Sequence, residues 1–444
     1  MTVARAARAT RLLVTTRRLA TVLPAARATG LVLTASRPAT VVPAARAIVV
    51  LLAVLVLLVV AGCGGGDDAP QRRAATPTAP IHRADGDRTA PSDADLLRAL
   101  MRDRAAALEA GDVDAYAGTS VARQRTRDRR AARRANRIRL RDVSLTPDVI
   151  DHTDNRARVR VHEDYSIAGV RSSFRTTQRY VAVRTGAGWR IRAVRGARGL
   201  PPWEVGVFAE RRTRHFVVLA PPSVPVGEVV PALEAGYERI HDVLSRGDLR
   251  RRYLVVVARD ATQARALTAT IQGVETLTAI ADAAIREEGP ARAVAKVVSL
   301  RLLVDWGHFA ALDPDGQRRV VTHELTHSAL AGTTSGRTPA WLIEGAALYV
   351  SEDRRLAPPE PVLRSLSKPN SISRLMGDAQ AYAYAASSAA AFAIVDRYGR
   401  GRLFALYDAF NDPRLRGRPG RGLANRALHR ELGIGIADLE AMLH

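Results

Sequence analysis

Two histidines four positions apart constrain this chain of 444 residues more than any other feature. His323 and His327 lie in the segment RRVVTHELTHSALAG, and Glu324 follows the first of them. Residues at positions i and i+4 share one face of an α-helix, so both imidazoles project to the same side if the segment is helical. Asp313 and Asp315 lie near its predicted start. The segment therefore predicts a helix that presents two imidazoles together.

This spacing is typical of a metal site. Two imidazoles one turn apart can bind one Zn²⁺ ion, and Glu324 can hold and deprotonate a water molecule beside the ion. The alternative is a surface helix that carries these residues by coincidence. A carboxylate further along the chain favours the metal site. Glu344 lies 17 positions beyond His327, in a second predicted helix that follows Pro339.

An antiparallel return of that second helix would bring Glu344 to the same ion, which makes it the predicted third ligand. The alternative role for Glu344 is to cap its own helix near the positive end. Glu352 is a weaker candidate ligand. The metzincin pattern would require glycine and histidine where Leu330 and Thr333 stand, so that class is excluded.

The two helical segments together resemble the gluzincin metallopeptidases, in particular the aminopeptidase-type branch and its bacterial "MA-like" relatives. Their shared signature is HExxH followed on the next helix by WLxEGxA, and HELTH and WLIEGAALY match it here. The resemblance covers 215–444 and implies a thermolysin-like mixed sheet with a mostly helical metallopeptidase domain. It implies three zinc ligands and a general base, namely His323, His327, Glu344 and, as the base, Glu324.

A tyrosine is predicted to assist. In these relatives a Tyr-x-x-Ser segment precedes a helix that ends in Tyr-Gly, and 384–399 matches that layout. A hydroxyl near the metal can donate a hydrogen bond to the oxyanion of a tetrahedral intermediate. We predict Tyr384 for this role, with Tyr382 as the weaker candidate and simple packing as the alternative for both. The Gly-x-Met-Glu-Asn segment of the exopeptidase branch does not precede His323, so aminopeptidase specificity is not predicted.

The single cysteine indicates where the protein resides. Residues 47–61 are uninterrupted apolar residues after Arg46, and Val-Ala-Gly-Cys ends the run at Cys63. A secretory signal typically has a positively charged flank, then a short apolar core, then small residues before the cleavage site. The segment resembles the bacterial lipobox, which implies a lipid anchor on Cys63 and a location on the extracytoplasmic face of the cell membrane. An uncleaved transmembrane anchor is the alternative, but it would need about 20 apolar residues.

Composition and periodicity divide the chain into a signal region over 1–62, a flexible tether over 63–91, and two folded domains. At the start of the unit 92–197, apolar residues recur at helical spacing, and a second helix is predicted over 113–137. Apolar and polar residues then alternate, which is typical of antiparallel strands. This unit resembles the cone-shaped nuclear transport factor 2-like (SnoaL-like) fold. The predicted fold class is therefore α+β, with a cone-like helix-plus-antiparallel-sheet domain before the metallopeptidase domain.

A hinge is predicted over 198–214, and the second domain then opens with a βαβ-like pattern. Helical segments are predicted near 261–285, a strand over 296–304, and mostly helix from 315 onward. The strand over 296–304 is predicted to offer an edge for an extended substrate.

The charge of the chain favours anionic partners. The formal net charge is +23, and 65 of the 67 basic residues are arginine, a bias that reflects codon composition as much as function. Ten arginines within 123–141 predict contact with an anionic envelope polymer or lipid, a solvated helix face being the alternative. No nucleic-acid partner is predicted, because no nucleic-acid-binding motif is present and aromatic residues make up only 5% of the chain.

These observations predict a membrane-anchored extracytoplasmic zinc metallopeptidase, a hydrolase that acts on a peptide or protein substrate. The alternative is a catalytically inactive envelope-binding or scaffold lipoprotein with a metallopeptidase-like domain. The presence of every motif residue favours the enzyme.

Overall fold

The computed structural model describes residues 91–196, 199–244, 249–268, 278–288, 294–355 and 378–443. The predicted signal region, Cys63 and the tether up to residue 90 lie outside the described residues. No helix in the described ranges is both long and apolar enough to cross a membrane. These ranges form a mixed α/β structure with one antiparallel and one mixed sheet, which confirms the predicted class at this level.

The first unit is a set of helices followed by an antiparallel sheet. Its elements are α1 (Asp93–Ala110), α2 (Val113–Gly118), α3 (Ala122–Ala135), β1 (Leu140–Thr153), β2 (Arg156–Ile167), β3 (Ser173–Thr185) and β4 (Gly188–Arg195). The strands lie in the order β1-β2-β3-β4, with every pair antiparallel. Strand β1 is at an edge of the sheet, which is where a strand tolerates a proline such as Pro147.

The single helix predicted over 113–137 is interrupted. Residues 119–121 leave the helical path because they pair with β4, where Ser120 forms a bridge to Ile191 and the Val121 amide donates to the Ile191 carbonyl at 2.9 Å. A local helical pattern cannot reveal such a tertiary pairing.

A buried charge pair lies inside the first unit. Arg104 is fully buried, and its Nη1 atom lies 2.6 Å from Asp128 Oδ2. The same guanidinium donates to Thr119 Oγ1 at 2.8 Å and to the Tyr116 hydroxyl at 2.9 Å, while Gln124 donates to Asp128 at 2.7 Å. Because both charges find partners, the pair is tolerated, and removal of either partner would leave a buried charge at a cost of about 3–5 kcal/mol.

Two more carboxyl groups lie close to this pair, the buried Glu163 and the half-buried Glu204. Burial and the neighbouring charge of Glu204 raise the pKa of Glu163 to about 8, although Arg104 and a hydrogen bond from Gln178 (3.0 Å) act in the opposite direction. The folded protein therefore holds a proton on Glu163 that the unfolded chain releases near pH 4.5. Stability contributed by this proton falls as the pH rises from about 4.5 to about 8.

We expect Glu163→Gln to raise the free energy of unfolding at pH 7 by about 3 kcal/mol, with little change near pH 4.5. Glutamine stays neutral at every pH, and its amide oxygen can still accept the hydrogen bond from Gln178. Urea unfolding at several pH values measures the effect. As a control, Asp148→Asn removes an exposed carboxylate that pairs with Arg160 and should change stability by less than about 1 kcal/mol. A wild-type pH dependence in Glu163→Gln would contradict the prediction.

The second unit opens with a five-stranded mixed sheet. Its elements are α4 (Pro202–Val205), β5 (Ala209–Arg212), β6 (Phe216–Ala220), α5 (Val226–Leu244), β7 (Tyr253–Ala258), α6 (Ala261–Leu267), β8 (Ala279–Glu288) and β9 (Val294–Asp305). The order is β5-β6-β7-β9-β8, with β6, β7 and β9 parallel and an antiparallel strand at each edge. Helix α5 connects the parallel strands β6 and β7, which confirms the predicted βαβ-like opening. Strands β6 and β7 are buried along their whole length, as is typical of parallel strands covered on both faces.

Two predictions about this sheet are wrong. The strand over 296–304 is not an edge, because β9 pairs with β7 on one side and with β8 on the other. The helical segment predicted near 261–285 ends at Leu267, and residues 279–285 belong to the edge strand β8. Alternate residues from Ala281 to Ile285 are buried there, so pairing with β9 overrides the helix propensity of the alanines.

The rest of the chain is mostly helical, as predicted. It forms α7 (Trp306–Phe309), α8 (Pro314–Leu330), α9 (Ala340–Val350), α10 (Asp378–Tyr398), α11 (Arg400–Ala409), α12 (Arg421–Leu432) and α13 (Ile436–Ala441). Helix α5 packs closely against α8, since a Cβ atom on Gly236 would lie 3.1 Å from the side chains of Val321 and Leu325. This packing fixes one side of the helix that carries the two motif histidines.

Within the predicted hinge over 198–214, the described residues 199–214 contact both units. The ring of Trp203, on α4, is fully buried and lies 4.8 Å from the ring of Tyr165 in β2. Strand β5 pairs with β6 and so joins the second sheet, and Glu210 on β5 forms an ion pair of 3.3 Å with Arg139 of the first unit.

Candidate metal centre

Helix α8 forms as predicted and presents the two histidines on its buried side. Asp313 caps it by accepting a 2.6 Å hydrogen bond from the Gly316 amide, and Pro314 occupies the first turn, where its missing N–H is not needed. His323 and His327 lie one turn apart in the second half of the helix, with ring centroids 4.7 Å apart.

Helix α9 brings Glu344 to these histidines, as the resemblance implied. Its path depends on Gly345, because a Cβ atom there would lie 2.5 Å from the Ser387 carbonyl oxygen and 3.1 Å from Ala391 Cβ on α10. Real Cβ atoms do not approach backbone so closely, so only glycine allows α9 and α10 to pack at this distance. The glycine beside Glu344 in the motif therefore has a packing reason that the sequence alone does not show.

Three ligand atoms converge at this point. His323 Nε2 lies 3.0 Å from His327 Nε2, and these atoms lie 3.3 and 3.4 Å from Glu344 Oε2. All three side chains are buried. Ligands bonded to one Zn²⁺ at their usual distances in a tetrahedral site are separated from one another by about 3.3 Å. The spacing of the three atoms therefore fits a zinc-sized ion.

The environment of Glu344 supports the same conclusion. No donor in the described part of the chain meets its buried Oε2 atom in hydrogen-bonding geometry. A buried carboxylate oxygen ordinarily has a partner, and a metal ion is the partner that two adjacent imidazoles also suit. Among the described residues, this is the group of histidine and acidic side chains whose ligand atoms come close enough to share one ion.

The electrostatics of His323 and Glu344 match the protonation that a metal requires, whereas His327 would have to release a proton when a metal binds. Burial lowers the pKa of His323, which favours its neutral form. Burial acts in the same direction on His327, but the charge of Glu344 raises its pKa above the usual value. Burial would raise the pKa of Glu344, but the charge of His327 holds it at about 2, so the carboxylate is ionised at neutral pH. A metal needs an ionised carboxylate and deprotonated imidazoles.

Glu324 lies beside the cluster and contacts the sheet rather than the ligand set. The Ala281 amide of β8 donates a 2.8 Å hydrogen bond to Glu324 Oε2. Burial raises the pKa of Glu324 to about 8, while the charge of His327 acts in the opposite direction. The sequence prediction missed Ala281, because it assigned this segment to a helix and no local pattern marks the contact.

Of the two predicted tyrosines, only Tyr384 is buried in the protein interior. Its side chain is buried, the Arg355 guanidinium lies 5.4 Å from its ring centroid, and burial raises its pKa well above the usual value. The charges of Glu344 and Glu324 raise that pKa further, so Tyr384 lies within their electrostatic reach and keeps its proton. Tyr382, in contrast, is 47% exposed.

Glu352, the weaker candidate ligand, does not join the cluster. It is half exposed, adopts a positive φ of 60°, and forms ion pairs with Arg239 at 3.1 Å and Arg318 at 3.5 Å. His308 lies in α7, where its Nδ1 atom is 3.1 Å from Asp305 Oδ2.

We expect Gly345→Ala to lower the free energy of unfolding by about 1–3 kcal/mol and to weaken zinc binding at least about tenfold. The added methyl group forces α9 away from α10, and Glu344 moves with α9. Urea unfolding and competition with a zinc chelator measure the two effects. Gly401→Ala is the matched control, because a Cβ on that helical glycine meets nothing within 4 Å. Equal zinc affinity in both variants would contradict the role given to Gly345.

Neither a scan of the chain against protein-family models nor a search of the curated proteins found a match. The arrangement of side chains at the site therefore has to indicate the function. Two imidazoles and an ionised carboxylate converge in a buried position, and a second carboxylate and a protonated phenol lie close to them.

Proposed function

We propose that this protein is a zinc metallopeptidase of the gluzincin type. The observation that carries the proposal is the convergence of His323 Nε2, His327 Nε2 and Glu344 Oε2 within 3.4 Å of one another, beside the buried Glu324. Three protein ligands leave one coordination position for water or substrate, which distinguishes catalytic from structural zinc sites. A mixed sheet with an antiparallel edge strand next to the motif helix supports a thermolysin-like arrangement.

Each residue of the site has its own role in the proposed hydrolysis. Zinc, when bound, polarises the scissile carbonyl and lowers the pKa of water toward about 7. The positive charge of a bound ion would lower the pKa of Glu324 from about 8 and leave this carboxyl group ionised. Glu324 would then take the proton of the attacking water and deliver it to the leaving amine, while the Ala281 amide holds one oxygen of the carboxylate in place. Tyr384 keeps its proton and donates a hydrogen bond to the developing oxyanion.

The substrate is a peptide in extended conformation that pairs with β8. This strand forms the edge of its sheet, and its Ala281 amide already contacts Glu324. An added strand would therefore lie alongside the proposed base, with main-chain hydrogen bonds giving affinity. In this proposal the substrate therefore pairs with β8, and not with the neighbouring strand over 296–304 for which the sequence predicted an edge.

The site is proposed to act outside the cytoplasm, anchored to the membrane by lipid on Cys63. The apolar run that ends in Val-Ala-Gly-Cys supports this location. Cys63→Ser should release the protein from membranes or leave it unprocessed. A variant that fractionates with membranes at the normal mature mass would contradict the anchor without affecting the peptidase proposal.

The peptidase proposal is tested by peptide profiling. Purified protein loaded with one zinc per chain should cleave members of an unbiased peptide library, a strong chelator should stop cleavage, and added zinc should restore it. Stoichiometric zinc with no cleavage of any peptide would instead favour the scaffold alternative. Absence of bound zinc would contradict the metal centre itself.

A further inference from the structure

A cavity of about 370 Å³ lies apart from the metal centre, between the turn that joins β2 to β3 and the strand β9. Its lining consists of Arg141, Asp142, residues 166–173 and Val298. The volume is within the range of small-molecule sites, about 300–1,000 Å³, but most such sites are lined by apolar side chains. Serines, arginines and backbone dominate here, so the cavity suits a small polar group.

The lining is positively charged. Arg141 and Arg171 both line the cavity, and both are exposed to solvent. Asp142 is the one acidic residue among the lining residues. The lining thus carries more positive than negative charge before any neighbouring residue is counted.

Two arginines of the second unit contact the wall of this cavity. Arg250 donates hydrogen bonds to the Arg171 carbonyl oxygen and, at 3.1 Å, to Ser172 Oγ. The Arg252 guanidinium lies beside Gly169, where a Cβ atom would be 3.5 Å from its Nη1 atom. Arginines of the second unit therefore contact the residues that form the wall of the cavity.

Within the part of the chain that the structure describes, no acidic side chain pairs with these arginines. None of Arg141, Arg171, Arg250 and Arg252 forms an ion pair with an acidic side chain within the described ranges. Glu210, the acidic residue of β5, already pairs with Arg212 and Arg139. Burial lowers the pKa of Arg250, and the charge of Arg171 lowers it further. The like charges of Arg171 and Arg250 repel each other, and a bound anion would offset that repulsion.

A second group of exposed positive charges lies on α3, the helix that precedes β1 in the chain. Its exposed arginines have no acidic partner in the described part of the chain, and these are Arg123, Arg125, Arg127, Arg130 and Arg133. The one acidic residue of the helix, Asp128, is buried and paired with Arg104. The chain then passes through the exposed Arg137 to Arg141 in the cavity lining.

We propose that the cavity binds the phosphate head group of an anionic lipid and that the α3 arginines lie against the same membrane surface. Lipid is the occupant that the position of the first unit favours. Residues 64–91, 28 in number, join the proposed lipid anchor to α1. The sequence predicts a flexible tether here, and a coil of that length would have an end-to-end distance of about 30 Å and would keep the first unit close to the head groups. The choice of lipid rests on the proposed anchor but not on peptidase activity.

Vesicle binding by a chain that begins at residue 64 tests this proposal. That chain keeps every described residue and carries no acyl group, so the protein surface alone determines binding. It should bind vesicles that contain about one third phosphatidylglycerol, bind pure phosphatidylcholine vesicles far less, and lose affinity as salt increases. Arg141→Ala/Arg171→Ala should weaken binding about 30-fold, because each arginine near such a surface contributes roughly fivefold.

The matched control is Arg416→Ala/Arg418→Ala, which removes the same charge from two exposed arginines before α12. It should weaken binding less than about threefold, whereas Arg127→Ala/Arg130→Ala on α3 should resemble the cavity variant. Thermal unfolding and hydrolysis of a soluble peptide should be the same for all variants and wild type. The proposal would be overturned if the cavity variant and the control lost vesicle affinity equally, or if the protein bound neutral vesicles as well as anionic ones. Binding to a soluble polyanion such as polyglutamate without binding to anionic vesicles would also overturn it.

Discussion

Glu324→Gln should leave a folded, zinc-loaded protein whose peptide hydrolysis is at least about 100-fold slower than that of wild type. Glutamine has nearly the size of glutamate and can still accept the hydrogen bond from the Ala281 amide, but it cannot take a proton from water. Loss of general-base catalysis alone lowers a rate by about 10²–10⁴-fold. Zinc content should be unchanged, because Glu324 is not among the three converging ligands. Initial rates on a peptide that wild type cleaves, with zinc measured on the same samples, give both quantities.

Two companion variants make this result specific. Glu352→Gln changes the same residue type in an exposed position with arginine partners, and it should keep activity within about twofold. Tyr384→Phe should lose activity by less than Glu324→Gln, because one oxyanion donor contributes about 10²–10³-fold and the metal shares the developing charge. Wild-type activity in Glu324→Gln would refute the proposed mechanism whatever the zinc content.

The sequence predicted the part of the site that local geometry determines. The spacing of His323 and His327 requires a helix, and a helix of that phase places both rings on one side without any tertiary information. Glu344 is different, because 17 intervening positions do not determine where its carboxylate lies. Its convergence with the histidines was inferred from the motif resemblance, and the described geometry agrees.

Features that depend on long-range packing could not be predicted from the sequence. The alanine-rich segment 279–285 has the composition of a helix, and only its pairing with β9 makes it the edge strand that contacts Glu324. Similarly, the break at 119–121 exists because the backbone pairs with Ile191 more than sixty residues away. Both errors have one cause: propensity is a weak local preference, and tertiary hydrogen bonds override it.

His323→Ala and His327→Ala should each abolish stoichiometric zinc binding. With three protein ligands, loss of one imidazole leaves a single histidine and a carboxylate, whereas Glu344→Ala leaves both imidazoles and lets water replace the lost oxygen. We therefore expect Glu344→Ala to weaken zinc binding by a smaller factor. Zinc per chain after dialysis distinguishes these cases. His429→Ala, which removes an exposed histidine of α12, is the control and should bind zinc as wild type does.

Thermal unfolding provides an independent measure of the same site. Zinc at about 1,000 times its dissociation constant should stabilise wild type by about 4 kcal/mol and should not stabilise the His323 or His327 variants. His327→Ala should also destabilise the metal-free protein, because the charge of His327 is the largest influence that holds the pKa of the buried Glu344 at about 2, with His323 contributing as well. Without that charge, folding must bury a more weakly paired carboxylate or bind a proton, so the loss of stability should grow as the pH rises above about 4.5. One tightly held zinc per chain in both histidine variants, or equal metal-free stability of His327→Ala and wild type at pH 7, would show that these side chains do not form the centre described here.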